Sequence, residues 1–102
     1  MLCALTVRKL KPGKYEDFKR AFIPDEGVEA PAGWKRFYGL QNVEEPDEVI
    51  TFGFFDGSLE QLRAGQAESP DFDERRAAAA EFVESVGADA IFEVVEERSM
   101  EG

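Results

Sequence analysis

The chain has 102 residues, enough to bury one core and too few for two, so a single domain over 1–102 is expected. Apolar residues make up 43% and nine Phe are spread from Phe18 to Phe92, which excludes a disordered chain. The net charge of −10 carries no basic stripe, which argues against nucleic acid and anionic membrane surfaces as partners.

The charge is uneven. Residues 1–40 hold eight Lys/Arg against five Asp/Glu, and residues 41–102 hold four against seventeen. The acid excess serves solubility, or the basic first half meets an acidic surface on another copy of the chain.

Met1–Val7 is too short for a membrane span and has neither the charged start nor the cleavage site of a signal peptide. It reads instead as part of a strand, LCALTVRK, and the expected location is the cytoplasm. The sole cysteine, Cys3, lies in this apolar run, so no internal disulfide forms and the thiol reads as a small core residue. Lys11-Pro12-Gly13 is a turn with Pro placed to open a helix. In KYEDFKRAFI, Tyr15, Phe18 and Phe22 fall at spacings of three and four, one stripe of a helix that Pro24 stops. PDEGVEAPAG, residues 24–33, is the loop richest in turn residues and the candidate for a mobile flap.

Two strands follow, at about 34–42 and 48–55, joined by the charged turn Glu44-Glu45-Pro46-Asp47 as an antiparallel hairpin. Ser58 and Gln61 have capping-box spacing for a short helix, SLEQLRA, closed by Gly65. Ser69-Pro70-Asp71 starts a longer helix, with Ser69 as N-cap. Phe72, Ala79, Phe82, Val83 and Val86 form its expected apolar side, and Gly87 its expected stop. Residues 90–97, AIFEVVEE, read as the last strand.

The order β-α-β-β-α(α)-β is the split βαβ arrangement of α+β, ferredoxin-like folds with a four-stranded antiparallel sheet. Helices from so short a chain cover one face of the sheet. Yet strands one, three and four carry apolar residues on both alternations, as in Cys3, Leu5 and Val7 beside Leu2 and Ala4. A second apolar face left bare is rare in soluble monomers, so a homodimer with facing sheets is expected.

The strand, Pro-Gly turn and Tyr–Phe–Phe helix of LCALTVRKLKPGKYEDFKRAF, followed by a hairpin, two helices and a closing strand, resemble the dimeric α/β-barrel superfamily. Within it the chain is similar to antibiotic-biosynthesis-monooxygenase-like domains. The resemblance implies a ligand cavity in each subunit, between helices and sheet or at the barrel mouth. Some relatives oxidise quinol-like substrates with dioxygen and no cofactor; others act on haem or on chlorite, or have no known activity. In the cofactor-free oxygenases an Asn, a Trp and a Tyr near the cavity matter, which makes Asn42, Trp34 and Tyr38 the candidates here.

The residue inventory narrows the chemistry. The chain has no histidine, which removes the usual haem ligand, the commonest general base and any His-containing metal site. No GxGxxG, Walker-type loop, CxxC or calcium-loop spacing is present, so neither cofactor nor metal is expected. Gly53 reads as a bulge or a close packing point. Strict alternation puts Trp34, Arg36, Tyr38 and Leu40 on one face, either packing a dimer interface or forming a wall where Arg36, Tyr38 and Asn42 bind an enolic substrate over the Trp34 ring. Arg8 is a second cation for such a substrate, and Phe52, Phe54 and Phe92 are candidate apolar contacts. The expected function is binding of a small apolar or aromatic ligand, with cofactor-independent oxygenation as the enzymatic reading. A non-catalytic carrier or interaction module with a barrel packed solid is the alternative.

Overall fold

The computed structural model describes residues 1–22, 32–67 and 70–100, with residues 70–73 described as backbone only. The elements run β1 Leu2–Leu10, α1 Tyr15–Phe22, β2 Trp34–Gln41, β3 Glu48–Phe55, α2 Leu59–Ala67, α3 Pro70–Ala80 and β4 Val83–Glu93. The strands form one antiparallel sheet in the order β2-β3-β1-β4, the ferredoxin-like arrangement expected from the sequence. The expected flap over 24–33 and the caps at Pro24 and Ser69 fall largely or wholly outside the described residues. No helix among the described residues is long and apolar enough to cross a membrane.

Burial along β3 divides the sheet into two faces. Val49, Thr51, Gly53 and Phe55 are buried, while Ile50, Phe52 and Phe54 between them are only half-buried. The buried set faces the helices. Leu10 and Val49 from the sheet, Phe18 from α1 and Ala79 from α3 make the fully buried core, with Tyr15 and Phe22 packed against it. The Tyr15–Phe18–Phe22 stripe thus forms as its spacing requires, and the Phe18 and Phe22 rings stack at 5.4 Å.

The helix ends follow local chemistry with two departures. At α2, Gln61 N–H donates to Ser58 Oγ at 3.1 Å and Ser58 N–H donates to Gln61 Oε1 at 2.8 Å, a complete capping box. Gly65, expected to close α2, lies inside it, since the helix runs on to Ala67. The second departure is larger. Helix α3 stops at Ala80, and Phe82, Val83 and Val86, expected on its apolar side, lie beyond it. Val83–Gly87 are the opening residues of β4, which begins seven residues earlier than expected and pairs with the whole of β1. Register shifts between Val7 and Arg8 and between Lys9 and Leu10 let β4 carry extra residues, and Gly87 is one of them. A strand interrupted by bulges loses the clean alternation that would have separated it from helix.

Two glycines should respond to alanine with opposite signs. Gly33 has φ of 98° and a Cβ there would lie 2.4 Å from Phe55 Cε2, whereas Gly65 is helical with open space where a Cβ would go. In urea denaturation, Gly33→Ala is expected to destabilise by about 1–3 kcal/mol and Gly65→Ala to stabilise by about 0.5–1 kcal/mol.

Candidate functional site

The hairpin carries the aromatic stretch, and a bulge in β2 splits it. Between Trp34 and Arg36 the register with β3 slips by one residue, so Trp34 lies opposite Phe55 and Arg36 lies opposite Phe54. Trp34 therefore sits on the helix side, with its ring edge-on to Phe55 at 5.3 Å and close over Gly53, where a Cβ would lie 3.0 Å from Trp34 Cζ3. Gly53 is thus a close packing point. Arg36, Tyr38 and Leu40 face the other way. Tyr38 stacks on Phe52 at 5.1 Å and meets Phe54 edge-on at 6.3 Å, and Arg36 Nη1 donates to Tyr38 Oη at 3.4 Å. The single face expected for Trp34, Arg36 and Tyr38 does not form, because one extra residue reverses the alternation.

Asn42 is placed apart from both groups. Its Oδ1 accepts from the N–H groups of Glu44 (2.9 Å) and Glu45 (3.2 Å), and its Nδ2 donates to Glu48 Oε1 at 3.2 Å. These bonds are those of an Asx turn that shapes the hairpin loop. Phe92 stands across β1 from Phe54, with Cys3 between them, so Phe52, Phe54 and Phe92 share the outer face with Tyr38. Burial pushes the Cys3 thiol pKa up and keeps it protonated, which suits packing and not nucleophilic attack.

Arg8 lies on the opposite face of the sheet, under the helices. Only 6% of its surface is exposed. Its Nη1 donates to Thr51 Oγ1 at 2.7 Å, and its guanidinium carbon stands 4.6 Å from the Phe22 ring centroid and 5.4 Å from that of Phe18. Thr51 takes one of five N–H donors and the rings engage the charge weakly. Among the described residues no carboxylate is within ion-pair distance of Arg8. Desolvation lowers its pKa first, the charge of Arg76 lowers it further, and Asp89 partly offsets both. An arginine starts so high that it stays cationic near neutral pH.

A hollow of about 90 Å³ opens beside this cation, lined by Thr6 and Arg8 of β1, Arg76, Ala79 and Ala80 of α3, and Val83 and Val86 of β4. The sequence makes room for it in two ways. The RRAAAA end of α3 presents methyl groups where longer side chains would fill the space, and the bulge at Gly87 bends β4 beside Arg8. Two of the lining residues engage Asp89, which does not itself line the hollow: Thr6 Oγ1 donates to Asp89 Oδ1 at 3.1 Å, and Arg76 is paired with Asp89 Oδ2. Two cations and one carboxylate thus share the site, a local balance of +1 in a chain of net −10. Of the candidate site residues named from the sequence, only Arg8 reaches this cavity. Arg76 and Asp89 were missed, and no local signal marks them: α3 and β4 bring them together only in the folded chain.

No protein-family model matches the chain, and no curated protein sequence matches it. Solved structures do. A "putative antibiotic biosynthesis monooxygenase" of Chloroflexus aurantiacus superposes with a TM-score of 0.75 at 15% identity, covering 98% of each chain. A protein of the same description from Deinococcus radiodurans gives 0.78 at 10% identity over 100% of both chains, and a Mycobacterium tuberculosis protein gives 0.70 at 14% identity. Likeness at this level of identity shows the fold, and the fold is that of the antibiotic-biosynthesis-monooxygenase-like structures the sequence resembles.

Thr51 and Arg8 should be coupled. Thr51→Val leaves a buried guanidinium donor without its acceptor and is expected to destabilise by about 1–3 kcal/mol. In a double-mutant cycle by chemical denaturation, the same change made on Arg8→Met should cost clearly less. Equal costs in the two backgrounds would show that the bond contributes nothing.

Proposed function

We propose that the chain works as one cytoplasmic domain that pairs with a second copy through its outer sheet face and binds a small organic ligand beside Arg8. The observation that carries the ligand site is the buried Arg8 guanidinium, unpaired with any described carboxylate and open to a cavity. Burying a cation without a counter-charge costs stability, and an incoming ligand with an electron-rich oxygen offsets that cost.

The dimer rests on the outer face. Tyr38, Leu40 and Phe92 are exposed there and Leu5, Val7, Ile50, Phe52 and Phe54 are half-buried. Covering a few hundred Å² of such surface contributes several kcal/mol at about 25 cal/mol/Å², enough to favour self-association. In this reading Arg36, Tyr38, Phe52, Phe54 and Phe92 serve the interface, Trp34 and Asn42 hold the hairpin in shape, and Arg8 serves the ligand.

The chemistry that fits is oxygenation, the activity that the names of the similar structures give for those proteins, carried out here without a cofactor. A quinol-like or enolisable substrate loses a proton to water, which returns one to the peroxide anion formed later, and its anionic oxygen rests on Arg8. The electron-rich ring then passes electrons to dioxygen, a C–O bond forms, and loss of water from the hydroperoxide leaves a carbonyl. Two hydrogens leave the carbon, one oxygen atom enters it and the other departs as water. The protein supplies orientation and electrostatic stabilisation of the anion. As it stands, a hollow of about 90 Å³ is smaller than the roughly 150 Å³ that admits benzene, so it receives a head group while the rest of the ligand lies toward the mouth. The competing reading, a non-catalytic carrier, draws on that same small volume.

Two measurements test this. Size-exclusion chromatography with light scattering should return twice the 11.4 kDa chain mass at micromolar concentration, and Phe92→Asp should return the single mass. Dioxygen uptake with a panel of hydroquinones and anthrones should rise on adding protein and fall at least about tenfold for Arg8→Met, as expected for loss of one preorganised cation. Uptake unchanged by the protein removes the oxygenase and leaves the carrier.

A further inference from the structure

We infer that the cavity selects its ligand by charge and is a subsite for a small organic monoanion, bound through a carboxylate, enolate or phenolate oxygen on Arg8 with Arg76 as the second cation. This rests on the reading of the Arg8 cavity as a ligand site and adds what that reading leaves open, namely what distinguishes a ligand from a non-ligand.

Three observations converge. One side of the cavity is a buried cation with no described carboxylate within ion-pair distance, held by Thr51 and by the faces of Phe18 and Phe22. Its wall holds a second arginine, and the only described carboxylate in the arrangement, Asp89, is already engaged by Arg76 and by the Thr6 hydroxyl. The rest of the lining is the apolar Ala79, Ala80, Val83 and Val86 together with Thr6, whose hydroxyl proton is already donated to Asp89. A neutral ligand therefore leaves the guanidinium uncompensated, while a monoanion brings the site to zero. A dianion overshoots, with Asp89 opposing the second charge. The two arginines also differ in role. Arg8 is fixed by Thr51 and two rings, whereas half of the Arg76 side chain is exposed and its partner Asp89 is a surface carboxylate, so Arg76 can turn from Asp89 to a ligand.

The outer surface shows why this is specific to the site. Elsewhere the described cations are surface groups, several of them paired to surface carboxylates as Lys9 is to Glu45 and Arg20 to Asp17. In a chain of net −10, a free anion is repelled from most of the molecule and is stabilised where the local balance is positive.

The test is a binding series on the intact protein followed by amide NMR shifts. Propionate and benzoate are paired with the neutral isosteres propionamide and benzamide, and 4-nitrophenolate, at a pH where it is ionised, is the phenolate arm. The carboxylates are expected to bind at least about tenfold more tightly than the amides, with shifts centred on Thr6, Arg8, Arg76 and Val86. Preference for 4-nitrophenolate over benzoate identifies the enolate-type oxygen as the natural group, and the reverse identifies a carboxylate. Asp89→Asn, a surface change that leaves the core intact, should widen the anion-over-amide ratio, and Arg8→Met should bring it to within about twofold of unity. If amides bind in the cavity as well as carboxylates, the cavity is a ligand site but charge selection is wrong. If neither class shifts the cavity residues, both the inference and the ligand site beneath it are wrong.

Discussion

A sheet with two apolar faces and helices enough for one sets the terms for everything else in this protein. Along β3 the alternation is strict, and it separates Val49, Thr51 and Phe55 under the helices from Ile50, Phe52 and Phe54 on the outside. The inner face is closed by Phe18, Phe22 and Ala79, so it can hold a desolvated group and a cavity. Among the described residues the outer face has no such cover, which leaves it available to a second copy. The proposed ligand site and the proposed partner face therefore lie on opposite sides of one sheet.

Bulges are what make this division different from the one that plain alternation gives. In β2 a single extra residue sends Trp34 inward while Arg36 and Tyr38 point outward. In β4 the extra residue at Gly87 bends the strand beside Arg8, and the small side chains at the end of α3 leave the adjoining space unfilled. Each departure costs the ladder some pairing: the first lets Trp34 pack over Gly53, and the second lies beside the buried Arg8.

Much of the fold was legible because its signals are local. The Tyr15–Phe18–Phe22 stripe, the Ser58–Gln61 capping box and the turn before β3 are all written in residues close together in the chain. The early start of β4 was not, because Val83 and Val86 fit the spacing of a helix as well as that of a strand, and only pairing with β1 decides between them. The site divides in the same way. Arg8 could have been ranked first from LCALTVRKL, since Thr6 and Arg8 continue the alternation of Leu2 and Ala4 toward the buried Leu10. Arg76 and Asp89 are thirteen residues apart on two elements and meet only through the tertiary fold. The hairpin aromatics drew attention as a reactive set, yet a bulge scatters them, and Asn42 is occupied with its own turn.

The most direct test of this two-sided arrangement is methyl NMR of the intact protein with a soluble nitroxide that broadens exposed groups. Val43 and Val95, 96% and 87% exposed on the single chain, serve as references for full broadening. Covered by a second copy, the methyls of Leu5, Val7 and Ile50 stay sharp while those of Val86 beside the Arg8 cavity broaden. Broadening of Leu5, Val7 and Ile50 to the level of Val43 and Val95 would mean that the outer face meets water, and the division between a partner face and a ligand face would be wrong.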